Sequence, residues 1–226
     1  MFYKCTSLVN APSILPATIL AKSCYSYMFV NCTSLTTVPE LPATILAHNC
    51  YYEMFRGCTS LTTAPELPAT TLTNYCYNSM FNGCTSLTTP PELPATTLAI
   101  SCYSYMFVNC TSLTTVPELP ALQLANSCYQ YMFQNCTALT AAPELLATIY
   151  TLAYNCYDGM FKGCTSLNYI KCLLTFDNDY NNNTNYWVAN VAPTGIFVKA
   201  DDMNNWTIGD SGIPTGWVVY TETEWR

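Results

Sequence analysis

The residues that offer the most chemistry in this chain are its cysteines, 14 among 226 residues. Their thiols could ligate a metal, form disulfides or act as nucleophiles. Thirteen of them fall into two series with steps of 26 to 28 residues, and Cys172 stands outside both. The first series comprises Cys5, Cys32, Cys58, Cys84, Cys110, Cys136 and Cys164, and the second comprises Cys24, Cys50, Cys76, Cys102, Cys128 and Cys156.

The spacing argues against metal binding and disulfides. Neighbouring cysteines of the two series are mostly 8 or 18 residues apart, whereas zinc sites use cysteines only a few residues apart. Equivalent cysteines of adjacent repeats could approach the roughly 4.4–6.8 Å that a disulfide requires, but a uniform ladder offers no preferred pairing. We therefore expect reduced thiols that are buried as small apolar side chains, and no cofactor.

A column of carboxylates follows the same period. Two interpretations stay open: solvated turn residues, or a stripe that binds hard cations such as calcium. Asp201, Asp202 and Asp210 raise the same question near the C-terminus. The column consists of Glu40, Glu66, Glu92, Glu118 and Glu144.

Acid–base chemistry has little support. The single histidine, His48, stands where sister repeats have Lys22 or Asn74, so we expect an exposed side chain without a catalytic role. No nucleophile, base and acid can be assembled around it. The sequence therefore predicts a protein that is not an enzyme and has no catalytic residues.

The repeat itself predicts the architecture. The segment SCYSYMFVNCTSLTTVPELPA occurs identically at 23–43 and 101–121, 78 residues apart. Such regularity is typical of stacked units that bury their apolar faces against one another. Within a unit, Leu46, Cys50 and Met54 are four apart, which indicates a short helix. Glycine or asparagine follows at six equivalent positions, which predicts a left-handed cap at Asn31, Gly57, Gly83, Asn109, Asn135 and Gly163.

The segment CTSLTTxPEL that follows has no helical period. It predicts a short parallel strand that ends at the prolines, Pro39 and Pro42 in the second repeat. Stacking would place these strands in a sheet, with the helices on the other side. The residues expected to face inward in this repeat are Cys32, Leu35, Val38, Leu41, Leu46, Cys50, Met54 and Phe55.

The motif MFxxCTSL with its proline-rich turn resembles the BspA-like leucine-rich repeats, and the resemblance covers residues 1–172. It implies an α/β leucine-rich-repeat solenoid of about six to seven repeats, the first of them incomplete, with a role in adhesion or other protein binding. The segments NYWVANVAPTGIFVKA and SGIPTGWVVY resemble the C-terminal module of such arrays in Bacteroides-type proteins. The family is usually secreted, whereas MFYKCTSLVN does not have the layout of a signal peptide.

Residues 173–226 are predicted to form a small β-rich capping module. NYWVANV could form a turn or two of helix with Trp187 inward, and TGIFVKA and GWVVYTETEW read as two strands. Trp187, Trp206 and Trp217 would cover the last repeat. At the other end the array starts in mid-unit, so either the chain is a fragment or something covers its open edge, which leaves self-association there as an alternative.

The residues that differ between repeats flank the CYxxMF motif. We expect them on the outer face of the helical side, where tyrosines among small polar groups suit recognition. Drift at unconstrained exposed positions is the alternative explanation of the variation. The partner-binding candidates are Tyr52, Glu53, Asn78, Tyr105, Gln130, Tyr131 and Asp158.

Composition narrows the function classes. Seven lysines and arginines against 14 aspartates and glutamates give a formal charge of −7, which excludes a basic nucleic-acid binder, and no apolar run is long enough to span a bilayer. The sequence predicts a non-catalytic scaffold that binds a protein or glycan, as in surface adhesion. The alternative is a structural assembly protein, a filament subunit or virion component. An extracellular or cell-surface location follows if the chain belongs to an exported protein; a virion or cytoplasmic location stays open.

Overall fold

The structure is a computed structural model that describes residues 1–147, 152–175 and 183–226. In the described residues, successive repeats stack so that each residue lies beside its equivalent in the next repeat. The repeat fold expected from the sequence is confirmed, and three departures from the expected elements have local physical causes.

The first departure concerns the predicted helices. Each repeat has instead a segment of consecutive turns, here called the turn segment, in which every fourth residue has a left-handed backbone. In the first turn segment φ is 57° at Ser23, 59° at Tyr27 and 57° at Asn31, which no α-helix tolerates. The turn segments are residues 22–31, 48–57, 74–83, 100–109, 126–135, 154–163 and 183–190.

Hydrogen bonds explain why this segment resembles a helix in sequence. Alternate amides donate to the next repeat, as from Tyr25 N to Cys50 O at 2.9 Å and from Phe29 N to Met54 O at 2.9 Å. The amides between them close local turns, as from Met28 N to Tyr25 O at 3.3 Å. A four-residue period therefore places side chains on one face without any helix. The helix prediction is wrong, but the left-handed residue is confirmed at all six predicted positions.

The second departure concerns the predicted strands. The CTSLTTxPEL segments make isolated parallel bridges, such as Asn10 with Thr37 and Thr63 with Thr89, rather than regular strands. Prolines remove the donors that a continuous ladder needs. Regular strand pairing forms between YIKC and the later segments IFVK and VVYT, because none of these three segments contains proline.

The strands of the described residues are β1 (Tyr169–Cys172), β2 (Ile196–Lys199) and β3 (Val218–Thr221), and they form one parallel sheet in the order β1-β2-β3. The helix among the described residues is α1 (Glu222–Trp225), and it follows β3 directly. Thr221 caps it, because its hydroxyl accepts from Glu224 N while the Glu224 carboxylate accepts from Thr221 N.

The third departure lies near the C-terminus. NYWVANV belongs to the turn segment 183–190 rather than to a helix. It extends the ladder of the repeats, since Phe161 N donates to Trp187 O at 2.8 Å and Gly163 N donates to Ala189 O at 2.7 Å. Trp187 is fully buried, and its Nε1 donates to Gly212 O at 2.8 Å. The first predicted strand is confirmed as β2, and the second is confirmed at β3 but wrong over ETEW, where Thr221 caps α1 instead. The division at residue 173 stays a prediction.

Equivalent rings stack along the whole core. Phe55, Phe81 and Phe107 follow one another at 5.7 Å with interplanar angles of 3° and 6°. A second stack runs through the tyrosines of the CYxxMF motif, with Tyr77 and Tyr103 at 5.8 Å. Of the eight residues expected inward in the second repeat, seven are buried and Val38 is half-buried.

Candidate binding surfaces

Twelve of the 14 thiols belong to the core. All 14 cysteines are free, and all are buried except Cys5 and Cys24. Thiols of the first series donate to the preceding repeat, as from Cys58 Sγ to Phe29 O at 3.1 Å and from Cys84 Sγ to Phe55 O at 3.2 Å. Burial raises the pKa of Cys58 to about 12. Such thiols stay protonated at neutral pH and are poor nucleophiles and metal ligands.

The glutamate column lies on the surface of the extended segments. Side chains alternate there, so that Pro117 and Leu119 are buried while Glu118 is exposed. Open cavities of about 370 to 510 Å³, lined by proline and glutamate, lie between successive members of the column.

One member of this column, Glu144, forms an ion pair with a lysine of the same chain. Lys171 Nζ lies 2.5 Å from Glu144 Oε1, and this hydrogen bond is the main reason why the Lys171 pKa is raised. Among the described residues no group of three or more His, Cys, Asp or Glu side chains could hold a metal ion. The cation stripe at Glu40, Glu66, Glu92, Glu118 and Glu144 stays a prediction.

Asp201 has a structural contact within the C-terminal residues. Its carboxylate accepts from Thr223 N at 2.8 Å and from the Thr223 hydroxyl at 2.5 Å, and these bonds lower its pKa. Asp201 therefore anchors α1 to the loop after β2. Asp202 and Asp210 are exposed.

The partner-binding candidates lie in two adjacent columns on the turn segments. The first column contains residues 26, 52, 78, 104, 130 and 158, and the second contains residues 27, 53, 79, 105, 131, 159 and 186. One backbone hydrogen bond per repeat joins them: Tyr105 N donates to Gln130 O at 2.9 Å, and Tyr131 N donates to Asp158 O at 2.8 Å. The backbone thus fixes the spacing of the side chains along the stack.

The seven partner-binding candidates were expected on an exposed outer face, and the structure departs from this at some of them. Tyr52, Glu53, Tyr105, Gln130 and Tyr131 are half-buried, as suits side chains at the edge of the core. Two further candidates are buried, so the expected exposure is wrong for them: Asn78 is 7% exposed and Asp158 is 6% exposed. Both side chains make hydrogen bonds to an adjacent repeat: Asn78 Nδ2 donates to Ser101 O at 3.4 Å, and Asp158 Oδ2 accepts from Gln130 Nε2 at 2.8 Å. Binding roles for all seven residues stay predictions.

The second column already holds cations of the chain at two positions. Glu53 pairs with Arg56 at 2.8 Å. Lys162 Nζ lies 5.9 Å from the ring centroid of Tyr186. These contacts indicate the chemistry that the column favours, since both a carboxylate and an aromatic face attract a cation.

At the first repeats, this surface contains an open cavity of about 500 Å³. Tyr27 and Tyr52 meet edge to face in it at 5.3 Å, and His48 meets Tyr75 edge to face at 5.5 Å. His48 is half-buried, not exposed as expected. Aromatic edges and hydroxyl groups in one cavity suit a polar ligand.

Further along the column, Tyr105 stacks on Tyr131 with ring centroids 5.2 Å apart and an interplanar angle of 13°. Gln130 Nε2 donates to Asp158 Oδ2 at 2.8 Å beneath them. Burial first, and then the charge of Asp158, raises the pKa of both tyrosines. These four candidates therefore form one cluster, which we call the tyrosine–aspartate cluster.

Sequence analysis missed one class of structural residue on this side. The tyrosines after the second-series cysteines, such as Tyr51 and Tyr103, are about 1% exposed and belong to the core. Their presence in every full repeat was the signal, because positions that never vary among the repeats are those that stacking constrains.

In the described residues no helix is long and apolar enough to cross a bilayer.

The repeats of this chain are similar to those of a known protein family. The model of the BspA type leucine rich repeat region matches residues 1–114 and 77–185, with six copies. None of the curated proteins compared with the chain matches it. A solved leucine-rich repeat protein from Bacteroides ovatus ATCC 8483 is similar at 14% identity, over 96% of this chain and 76% of that one, with a TM-score of 0.24.

Proposed function

Because the chain belongs to the BspA-type leucine-rich repeat family, we propose that it is a non-catalytic scaffold that binds a macromolecular partner through the two variable columns. The partner is a protein, with a glycan as the alternative ligand. Adhesion at a cell surface is the biological setting that this family favours. The observation that carries the proposal is the pair of columns itself, where side chains vary while the backbone beneath them is constant.

The physical basis is rigid display. Hydrogen bonds of 2.8–2.9 Å join the two columns from repeat to repeat, so the side chains need little ordering when a partner binds. Several modest contacts at fixed spacing then act together. Half-buried tyrosines contribute large contact areas at low entropic cost.

The test is a binding array of purified extracellular-matrix proteins and glycans, probed with the full chain by biolayer interferometry. We expect saturable binding to at least one protein. The double substitution Tyr52→Ser and Tyr131→Ser should weaken it, because both rings lie on the columns. The matched control is Thr62→Ser and Thr88→Ser, on exposed extended segments. Failure to bind any protein or glycan, or equal loss in the control, would contradict the proposal.

Structural assembly is the second proposed function, and the first repeat favours it. Cys24 is exposed there and Tyr25 and Met28 are half-buried, whereas the equivalent Cys50, Tyr51 and Met54 of the next repeat are buried. A second copy that docks on this edge would cover the same groups that stacking covers elsewhere. Sedimentation velocity over a hundredfold range of protein concentration distinguishes the two roles. Assembly requires species whose size grows with concentration, and a monomer at every concentration contradicts it.

We further propose that residues 173–226 cap the opposite end of the array formed by residues 1–172.

A further inference from the structure

We propose that the tyrosine–aspartate cluster binds a positively charged side chain, arginine or lysine, of the protein partner. The inference rests on the proposed function, because it specifies what one part of the variable columns recognises. Three features of the cluster support it: its shape, the burial of its carboxylate and, among the described residues, the lack of a cation beside that carboxylate.

Gly159 gives the cluster its shape. It follows Tyr131 in the second column and has φ of +59°. A Cβ atom at this position would lie 2.1 Å from Cε1 of Tyr131, so the Tyr131 ring occupies the space that any other residue would fill. Tyr105 then stacks on the ring at 5.2 Å. The result is a half-buried aromatic surface two rings long, next to Asp158.

Asp158 gives the cluster its charge. Its Oδ2 accepts from Gln130 Nε2, and the Tyr131 hydroxyl interacts with the same carboxylate. Oδ1 is buried without a well-formed hydrogen bond. Among the described residues no Lys, Arg or His nitrogen lies within 4.0 Å of this carboxylate. A buried carboxylate without a cation is costly, and a cation at the surface above it reduces that cost.

The rest of the second column shows the chemistry that completes such a position. Glu53 has Arg56 beside it, and Tyr186 has Lys162 over its ring. Tyr105 stacks on Tyr131 through one face, so the face of Tyr105 turned away from Tyr131 offers the negative potential of the ring, and the carboxylate adds a full charge in a region of low dielectric. The net charge of −7 also favours a cationic partner over an anionic one.

A metal ion is a poor occupant of this site. Hard cations need several oxygen ligands, and Asp158 offers a single buried carboxylate. Guanidinium and ammonium groups need only an aromatic face and a nearby negative charge. The cluster therefore fits a side chain that lies on the rings and not an ion that enters the core.

The experiment uses N-acetyl-L-arginine amide as the probe and its neutral isostere, N-acetyl-L-citrulline amide, as the matched ligand. Ring resonances of the full chain with ¹³C-labelled tyrosine are followed by NMR, with Tyr105→Phe and Tyr131→Phe variants as assignments. We expect the arginine probe to shift the signals of both rings, and citrulline to bind about tenfold more weakly. Equal shifts with the two probes, or none with arginine, would overturn the inference.

Variants locate the effect. Asp158→Asn keeps an acceptor for Gln130 and removes the charge, so arginine binding should weaken several-fold. Asp202→Asn removes one exposed charge outside both columns and should leave binding unchanged. Equal weakening in both variants would assign the effect to net charge and overturn the site. If Asp158→Asn does not fold, Tyr105→Leu decides, because loss of the outer ring should abolish the arginine response.

The outcome is separable from that of the proposed function. A chain that binds a protein in the array but does not respond to the arginine probe remains a scaffold without this site. A chain that responds to the probe but binds no protein or glycan keeps the site and loses the proposed function.

Discussion

Removal of one ring from the middle of the phenylalanine stack tests how the repeats hold together. Phe81 is fully buried and stacks at 5.7 Å on Phe55 and at 5.7 Å on Phe107. Phe81→Ala therefore leaves a cavity between two repeats and breaks two ring contacts. Buried Phe→Ala substitutions cost about 3–5 kcal/mol, and a central ring with two stacked partners should cost about 4 kcal/mol.

The end of the stack offers a matched control. Phe2 is half-buried and stacks on Phe29 alone, at 5.3 Å. Phe2→Ala removes the same atoms but breaks one ring contact at a partly solvated site, so we expect a loss of about 1–2 kcal/mol.

The assay is urea unfolding followed by far-ultraviolet circular dichroism. Phe81→Ala should lower the midpoint far more than Phe2→Ala, and it should broaden the transition, because repeats on either side of a weakened interface can unfold separately. Equal losses at the two positions, or a loss below about 1 kcal/mol for Phe81→Ala, would show that ring stacking between repeats does not hold the array together.

Three further predictions concern the thiols and the turns. Thiol titration of the native chain should detect Cys5 and Cys24 only, and titration in denaturant should detect all 14; fewer than 14 would indicate disulfides. Alkali should unfold the chain, because burial raises the Cys58 pKa from 9.0 to about 12: stability is fully present below pH 9 and is lost as pH rises toward 12, by about 1.4 kcal/mol per pH unit for each such thiol. Constant stability to pH 11 would contradict this. Gly83, with φ of +77°, should tolerate Asn better than Ala, which should cost about 1 kcal/mol in thermal unfolding; equal costs would argue against a left-handed residue.

The sequence determined the repeat register well because stacking requires equivalent residues to meet. The positions of Cys50, Met54 and Phe55 in the core, and the left-handed backbone at Asn31 and Gly57, followed from comparison of the repeats. The same constraint acts on the equivalent position of every repeat, so one sequence shows several residues that satisfy it.

Local conformation was harder to predict. A four-residue spacing is compatible both with a helix and with overlapping turns, and the hydrogen bonds that decide between them run to another repeat. The length of the strands was overestimated. Thr63 and Thr89 do form a parallel bridge, but the prolines that follow them prevent a continuous ladder of hydrogen bonds.

The candidate site was predicted in its residues but not in its geometry. Variation among repeats pointed to Tyr105, Gln130, Tyr131 and Asp158, yet it indicated exposure for all of them. Gly159, next to Asp158 in the same turn segment, leaves room for the ring of Tyr131. A contact of this kind between adjacent repeats is invisible to a comparison that treats each column separately.

The turn segment of each repeat donates hydrogen bonds to the next repeat, and scalar coupling across these hydrogen bonds tests this directly. In a long-range HNCO experiment on the labelled chain, we expect a cross-peak between the amide nitrogen of Phe81 and the carbonyl carbon of Met106, which are joined by a hydrogen bond of 2.9 Å. A cross-peak from Phe81 to the carbonyl of Tyr77, four residues earlier as in a helix, would contradict it.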